Sequence, residues 1–123
     1  MAERSVLPRL DDILEAIEHI RAELTDVPLP AFEADWRKRW LVERGVEIIS
    51  EPGRRLPDEL KARHPETPWP KVAGIGNVLR HNYEAISPAI MWTVARDDLP
   101  PLEEVCRVEL AAAEARERDG EDA

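Results

Sequence analysis

The stretch that decides the fold is WPKVAGIGNVLRHNY, residues 69–83. Its apolar residues recur at intervals of three and four, which is the spacing of one face of an α-helix. They are Val72, Ile75 and Leu79. The stretch therefore predicts a helix that buries one side and leaves the other side polar.

Two glycines, Gly74 and Gly76, lie inside this predicted helix. Each glycine costs a helix interior about 1 kcal/mol relative to alanine. A helix that keeps both indicates that something approaches its backbone closely at these positions. Another helix, a second subunit or a ligand would each meet that requirement.

The same helical spacing continues on both sides of this stretch, and segments containing proline separate one apolar stripe from the next. The stripes comprise Leu10, Ile13, Leu14, Ile17, Ile20 and Leu24; Phe32, Trp36, Trp40, Val42, Val46 and Ile49; and Leu102, Val105, Cys106 and Leu110. They predict an all-α protein, an antiparallel four-helix bundle with additional short helices. We expect the domain to span residues 1–113 and residues 114–123 to form a frayed, charged tail.

The chain has 123 residues and 43% of them are hydrophobic. That length fits one domain, whose modest core would gain from dimerisation. The first residues lack the apolar segment of a secretory signal, and no apolar run reaches the roughly 20 residues of a membrane helix. The sequence therefore predicts a cytoplasmic protein without membrane association. The single cysteine, Cys106, is interpreted as a buried, unreactive thiol.

The charge of the chain is acidic overall but unevenly distributed. Its formal net charge is −9, which argues against a general nucleic-acid binder. Residues 37–80, however, carry ten basic and six acidic side chains, whereas residues 1–36 and 97–123 are strongly acidic. Any anionic ligand is therefore expected to bind at the basic middle of the chain.

The polar side of the predicted helix carries residues suited to proton transfer. Asn77 and His81 are four residues apart and share a helical face, and Arg80 adds a cation beside them. Imidazole exchanges protons near neutral pH, so His81 is a candidate acid or base. The alternative is an interior His81 that is hydrogen-bonded to Asn77, which composition alone favours. No second histidine or cysteine lies at metal-ligand spacing, and no glycine pattern predicts a nucleotide cofactor.

The four tryptophans and the basic run that begins at Arg37 each allow two interpretations. Trp36, Trp40, Trp69 and Trp92 could stack nucleobases. Their helical spacing favours packing in the core or at a dimer interface. The run Arg37-Lys38-Arg39 is likewise more typical of a solvated helical face than of a phosphate-binding surface.

Three separated blocks together resemble the HepT-like branch of the HEPN family. The central block is Trp-x-x-Val-Ala-Gly-Ile-x-Asn-Val-Leu-x-His-x-Tyr within residues 69–83. The flanking blocks are Arg9-Leu10-x-Asp12-Ile13-Leu14 and Trp92-x-Val94, followed after five residues by Leu99-Pro100-x-Leu102. The resemblance covers roughly residues 8–110, with the blocks in the same order and spacing.

The resemblance implies a helical bundle that dimerises and pairs its motif helices across a cleft. In the family this cleft is a metal-independent RNase site, with the motif Arg, four to six variable residues, His, one residue, Tyr. The arginine is thought to hold the scissile phosphate, and the histidine to act on the ribose 2′-OH or on the leaving oxygen. Such proteins are toxins of type VII-like toxin–antitoxin systems. A small nucleotidyltransferase antitoxin neutralises them by adding AMP to the motif tyrosine.

Carried over by position, the motif histidine is His81, the tyrosine is Tyr83 and the residue after the motif arginine is Asn77. The arginine itself should be residue 76, which is Gly76 in this chain. Arg80 lies four residues on and could reach back over Gly76, because helical side chains lean toward the N-terminus. Arg37 and Arg44 are further phosphate-binding candidates.

Two functions therefore remain open from the sequence. The first is an endoribonuclease toxin with a homodimeric site. The second is a degenerate HEPN module that binds RNA, a nucleotide or a protein partner without cleaving.

Overall fold

The computed structural model describes residues 6–82 and 86–122. This part of the chain forms seven α-helices, with one π-helical turn (Val94–Asp98) between the last two. The helices are α1 (Val6–Leu24), α2 (Leu29–Ala34), α3 (Trp36–Arg54), α4 (Asp58–Ala62), α5 (Trp69–Asn82), α6 (Pro88–Thr93) and α7 (Leu99–Asp122). Neither described range contains a strand, so the predicted all-α class is confirmed.

The four long helices, α1, α3, α5 and α7, form the bundle, and α1 runs antiparallel to both α3 and α7. Lys38 donates to Glu23 at 2.9 Å, and the Arg9 guanidinium donates to the backbone oxygen of Arg55 at 2.7 Å. These bonds join opposite ends of α1 and α3. The corresponding pairs between α1 and α7 are Arg21–Glu103 and Arg107–Glu18. Helix α5 packs on α3, so α1 and α3 occupy the centre of the bundle.

The predicted apolar stripes close on one core. Its fully buried side chains are Leu10, Ile13, Ile17, Ile20, Phe32, Val42, Met91 and Cys106. Burial raises the pKa of the Cys106 thiol to about 12, and the charges of Glu109 and Glu103 act in the same direction. The interpretation of Cys106 as a buried thiol is therefore confirmed.

The predicted core stripe is wrong at Trp36 and Trp40. The side chain of Asp35 accepts from the N–H groups of Arg37 and Lys38, and this cap begins α3 as a separate helix after α2. The helical phase of α3 then turns Val42, Val46 and Ile49 inward. Trp36 and Trp40 lie on another face and are 49% and 64% exposed.

Helices α3 and α5 cross closely at Ser50, which is 2% exposed. Its hydroxyl donates to the carbonyl oxygen of Ala73 at 2.8 Å and accepts the N–H of Gly76 at 3.1 Å. A Cβ on Gly76 would lie 2.5 Å from Ser50 Oγ and 2.6 Å from Ser50 Cβ. One turn away, a Cβ on Gly53 would lie 2.9 Å from Val72 Cγ1. The absence of side chains at both glycines lets the two backbones approach.

The first turn of α5 is anchored to the end of α4 and the residues that follow it, which α7 holds in turn. The buried indole of Trp69 donates its N–H to the carbonyl oxygens of Lys61 at 3.1 Å and His64 at 3.0 Å. Glu109 of α7 accepts from Arg63 at 2.6 Å and hydrogen-bonds His64 Nε2 at 2.7 Å. The hydrogen bond from Arg63 lowers the pKa of Glu109, with a smaller contribution from His64, although burial opposes them. These contacts fix where α5 starts and hence the direction of its motif.

The π-helical turn joins α6 to α7 and precedes two prolines. The N–H of Leu99 donates to the carbonyl oxygen of Val94, a five-residue step. Pro100 and Pro101 have no N–H to donate. The carbonyl of Arg96 therefore lacks a helical donor whether its partner would be four or five residues on. The wider turn occurs where regular α-helical bonding is interrupted.

Helix α7 continues to Asp122, past residue 113, and the frayed tail expected from residue 114 stays a prediction. The last turns have almost no core contacts, and residues 116–120 are exposed. Alanine, glutamate and arginine are strong helix formers, so the helix persists without tertiary support. The domain boundary itself stays a prediction. Within the described residues, no helix has the length and apolar character needed to span a membrane.

The crossing of α3 and α5 predicts opposite effects of alanine at the two motif-helix glycines. We expect Gly76→Ala to lower the free energy of unfolding by about 1–3 kcal/mol, because its methyl group overlaps Ser50. The matched control is Gly74→Ala, since nothing lies within 4 Å of a Cβ there. Within a single chain this change should stabilise the fold by up to about 1 kcal/mol through helix propensity. Urea unfolding measures both, and equal stabilities would contradict the tight crossing.

Candidate active site on the outer face of the motif helix

The contact between Gly76 and Ser50 sets the rotation of α5. Because successive helical residues are about 100° apart, Asn77 and His81 turn away from α3. Both side chains are exposed, and the neighbouring Val78 is 38% exposed. No hydrogen bond joins Asn77 to His81, both of which belong to the described part of the chain. His81 is therefore not the interior histidine that composition alone favoured.

Arg80 lies beside this exposed face and leans back over Gly76. Its Nη1 atom is 3.5 Å from the point where a Cβ on Gly76 would lie. This is the direction expected of a long side chain on a helix, toward the N-terminus. The exposed guanidinium of Arg80 thus occupies the space above the position of the motif arginine.

The charge of Arg80 also reaches α3. A hydrogen bond from Arg54 lowers the pKa of Glu51, and the charges of Arg54, Arg55 and Arg80 act in the same direction against the opposing effect of burial. Glu51 and Arg54 are 2.7 Å apart, and Glu51 and Arg55 are 2.9 Å apart. The carboxylate of Glu51 therefore lies within electrostatic range of Arg80.

Gly74 and Gly76 were both expected to have a close neighbour at the backbone, and within the described residues the structure shows one only at Gly76. At Gly76 the neighbour is Ser50 of the same chain. At Gly74 a Cβ would meet no atom of the other described elements within 4 Å. A second subunit or a ligand is therefore the kind of neighbour that could approach the backbone at Gly74.

Of the two phosphate-binding candidates on α3, the structure brings one next to α5. Arg44 lines a cleft of about 310 Å³ with Trp40, Glu43, Glu47 and Leu79 of α5. Its guanidinium is 3.2 Å from Glu47, so an anion would compete with that carboxylate.

The other candidate, Arg37, lies at the first turn of α3. Its guanidinium carbon is 5.3 Å from the ring centroid of Trp36. It precedes Glu47 by ten residues, about 15 Å along the helix axis. Arg37 is therefore not brought together with Arg80 and His81.

Sequence reasoning missed the acidic residues Glu43, Glu47 and Glu51 on the α3 side of the site. Burial raises the pKa of Glu43, with a smaller raising effect from Glu47, while Arg39 acts to lower it. The signal was present in the sequence, because carboxylates spaced by four residues share a helical face. Tyr83, the expected modification site, lies outside the described residues. Among those residues no three His, Cys, Asp or Glu side chains come together in a way that could hold a metal ion.

Comparison with known proteins decides the family. The family model for HepT-like ribonucleases matches residues 13–109. The chain belongs to the HepT-like ribonuclease family. The sequence-based expectation of an RNA-cleaving enzyme of the HEPN type is thereby confirmed at the level of the family.

Individual relatives agree with this assignment. A protein of Thermococcus cleftensis named "Probable ribonuclease HepT" is 33% identical over 99 residues, which are 80% of this chain and 90% of that protein. A Methanocaldococcus jannaschii protein named as an RNase is 29% identical over 102 residues, 83% of this chain and 94% of that protein. One from Caldanaerobacter subterraneus, also named as an RNase, is 29% identical over 96 residues, 78% of this chain and 86% of that protein. No solved structure gives a significant match.

Proposed function

We propose that this HepT-like chain is a metal-independent endoribonuclease that cleaves single-stranded RNA in the cytoplasm. The observation that carries the proposal is the outer face of α5, where His81 and Asn77 are exposed while Arg80 lies above Gly76. One helix thus presents an imidazole, an amide and a guanidinium to the same side. Metal independence follows from the resemblance to the family.

Each of the three residues has a distinct role in the proposed reaction. His81 takes the proton from the ribose 2′-OH or gives a proton to the leaving 5′-oxygen. The 2′-oxygen attacks the adjacent phosphorus as the bond from phosphorus to the 5′-oxygen breaks. Arg80 neutralises the charge that builds up on the phosphoryl oxygens, and Asn77 donates a hydrogen bond to the same group.

The proposed active unit is a homodimer that pairs two copies of the outer face. An apolar side chain is exposed on the outer face itself, because Val78 lies about 200° round α5 from Gly76, the residue that faces α3. Gly74 offers the open backbone that a second helix could approach. Covering this surface would also enlarge the modest core of a 123-residue chain.

We propose further that the protein is the toxin of a toxin–antitoxin pair. The partner would be a small nucleotidyltransferase that transfers AMP to the hydroxyl of Tyr83. Tyr83 follows His81 by two residues, so a bulky anionic group there would stand beside the proposed site. Repulsion of the RNA phosphate and occlusion of the cleft would both block cleavage.

A second candidate function is supported by the replacement of the motif arginine by Gly76. Ser50 occupies the space into which a side chain at residue 76 would point. If Arg80 does not replace the missing cation, the protein is a HEPN module that binds RNA, a nucleotide or a protein partner without cleaving.

Cleavage of single-stranded RNA in the presence of EDTA separates the two functions. We expect the wild type to cleave, His81→Ala to be inactive, and Arg80→Ala to lose on the order of 100-fold in rate, since a charge donor to the transition state is removed. The matched controls are His19→Ala on α1 and Arg116→Ala on α7, which should keep full activity. A silent wild type would favour the non-cleaving module.

The oligomeric state tests the proposed pairing of outer faces. We expect light scattering at micromolar concentration to give twice the 14.0 kDa mass of the chain. Val78→Glu should shift the protein toward monomer, because it places charge in the apolar surface, whereas Val108→Glu on α7 should not. A wild type that is monomeric throughout this range would contradict the proposal.

Modification of Tyr83 tests the proposed antitoxin mechanism. Incubation with ATP and a cognate nucleotidyltransferase should add one or more AMP groups, which mass spectrometry detects, and should abolish RNA cleavage. Tyr83→Phe lacks the acceptor hydroxyl and should stay unmodified. AMP addition that persists in this variant would assign the acceptor to another residue.

A further inference from the structure

The exposed indole of Trp40 lies beside the proposed active site rather than in the core. It packs against Trp36 with the ring centroids 4.8 Å apart and the planes at 67°. Most of its surface nevertheless remains open to solvent. A large aromatic side chain held in place and left exposed is typical of a surface that binds something.

Trp40 stands between two clefts. On one side the cleft of about 310 Å³ reaches α5 at Leu79. The other cleft, of about 220 Å³, reaches α6 at Met91 and the segment before it at Ile86. Glu43 lines both clefts. An aromatic wall flanked by open space on both sides is the arrangement that stacks nucleobases in single-stranded RNA.

The charged residues around Trp40 suit a nucleotide better than a second protein subunit. Glu43 offers carboxylate oxygens at half-buried depth, which can accept from an exocyclic amino group such as N4 of cytosine. Arg39 lines the α6 side and Arg44 the α5 side, where each can meet a phosphate. Cores of protein interfaces are instead depleted of charged residues.

The surface proposed for the dimer lies on α5 rather than on α3. Val78 is two residues from Gly76, which faces α3, and therefore points away from that helix. Trp40 belongs to α3 and lines the clefts on the side of that helix. The two surfaces can therefore be occupied at the same time.

We infer that Trp40, Glu43, Arg39 and Arg44 form a base-binding subsite for single-stranded RNA. One base stacks on the indole and its amino group donates to Glu43, while the arginines bind the flanking phosphates. The subsite prefers bases that carry an amino group, such as cytosine, over uracil. This inference rests on the proposed ribonuclease function, because the subsite would hold the strand whose phosphate reaches His81.

The test uses full-length protein and labelled 2′-O-methyl hexacytidylate and hexauridylate, which lack the free 2′-OH and cannot be cleaved. Fluorescence anisotropy should give tighter binding of the cytidine probe. Trp40→Ala should weaken its binding on the order of tenfold, because a stacked base loses its platform. Trp40→Phe should retain much of the affinity. Glu43→Met should remove the preference for cytidine, and the control Ile90→Ala on α6 should leave binding unchanged.

Each outcome has one meaning when mass and RNA cleavage are measured on the same samples. If Trp40→Ala binds the cytidine probe as tightly as the wild type, the subsite is overturned. If Trp40→Ala loses both the dimer and the binding, the subsite is also overturned, because Trp40 would then be an interface residue. Equal affinity for the two wild-type probes overturns the role of Glu43. A wild type that binds through Trp40 without cleaving supports the subsite and refutes the ribonuclease proposal. If the wild type cleaves RNA with the same rate and affinity as Trp40→Ala, the ribonuclease proposal is supported and the subsite is overturned.

Discussion

The hydroxyl of Ser50 is the contact on which the arrangement of the site depends. It bridges the carbonyl of Ala73 and the N–H of Gly76, so it binds α5 through backbone atoms rather than through side chains. The rotation of α5 is thereby fixed, because the residue that faces Ser50 has no room for a Cβ. Asn77 and His81 face outward for this reason. The same contact leaves no room for a side chain at residue 76, so the glycine there is explained by the packing of the bundle.

The candidate site is built from two helices that contribute opposite charges. Helix α5 supplies Arg80 and His81, and α3 supplies the carboxylates Glu43, Glu47 and Glu51 beside Arg44. Under the proposed function, an RNA phosphate at this site would compete with Glu47 for Arg44 and with Glu51 for Arg80. The proposed RNA binding is therefore expected to depend on contacts other than phosphate charge, and the exposed indole of Trp40 is the contact that we propose. The acidic net charge of the chain is consistent with this division of roles.

Helical periodicity was sufficient to predict the all-α fold and most of the core, because stripes such as Ile13, Ile17 and Ile20 have only one way to become buried. It failed at Trp36 and Trp40, since the cap at Asp35 changes the helical phase and no periodicity of apolar residues encodes that cap. The motif identified His81 and Asn77 in one helix, but residues that come from α3 required the crossing at Ser50 to be known. Helix α7 runs beyond its last core contacts because local helix propensity maintains it, which apolar periodicity does not report.

The π-helical turn at Val94–Asp98 has a mechanical consequence. Pro100 and Pro101 have no N–H, so the helical segment that runs from α6 into α7 has fewer backbone hydrogen bonds where the two helices meet. Bending at this junction therefore breaks fewer hydrogen bonds than bending elsewhere in the segment. On one side of this point, α7 is held by Glu109 and its ion pair with Arg63. On the other side, Met91 of α6 forms a wall of the cleft beside Trp40. Because Met91 is also a buried core residue, bending at this junction would change the core and the cleft beside Trp40 together.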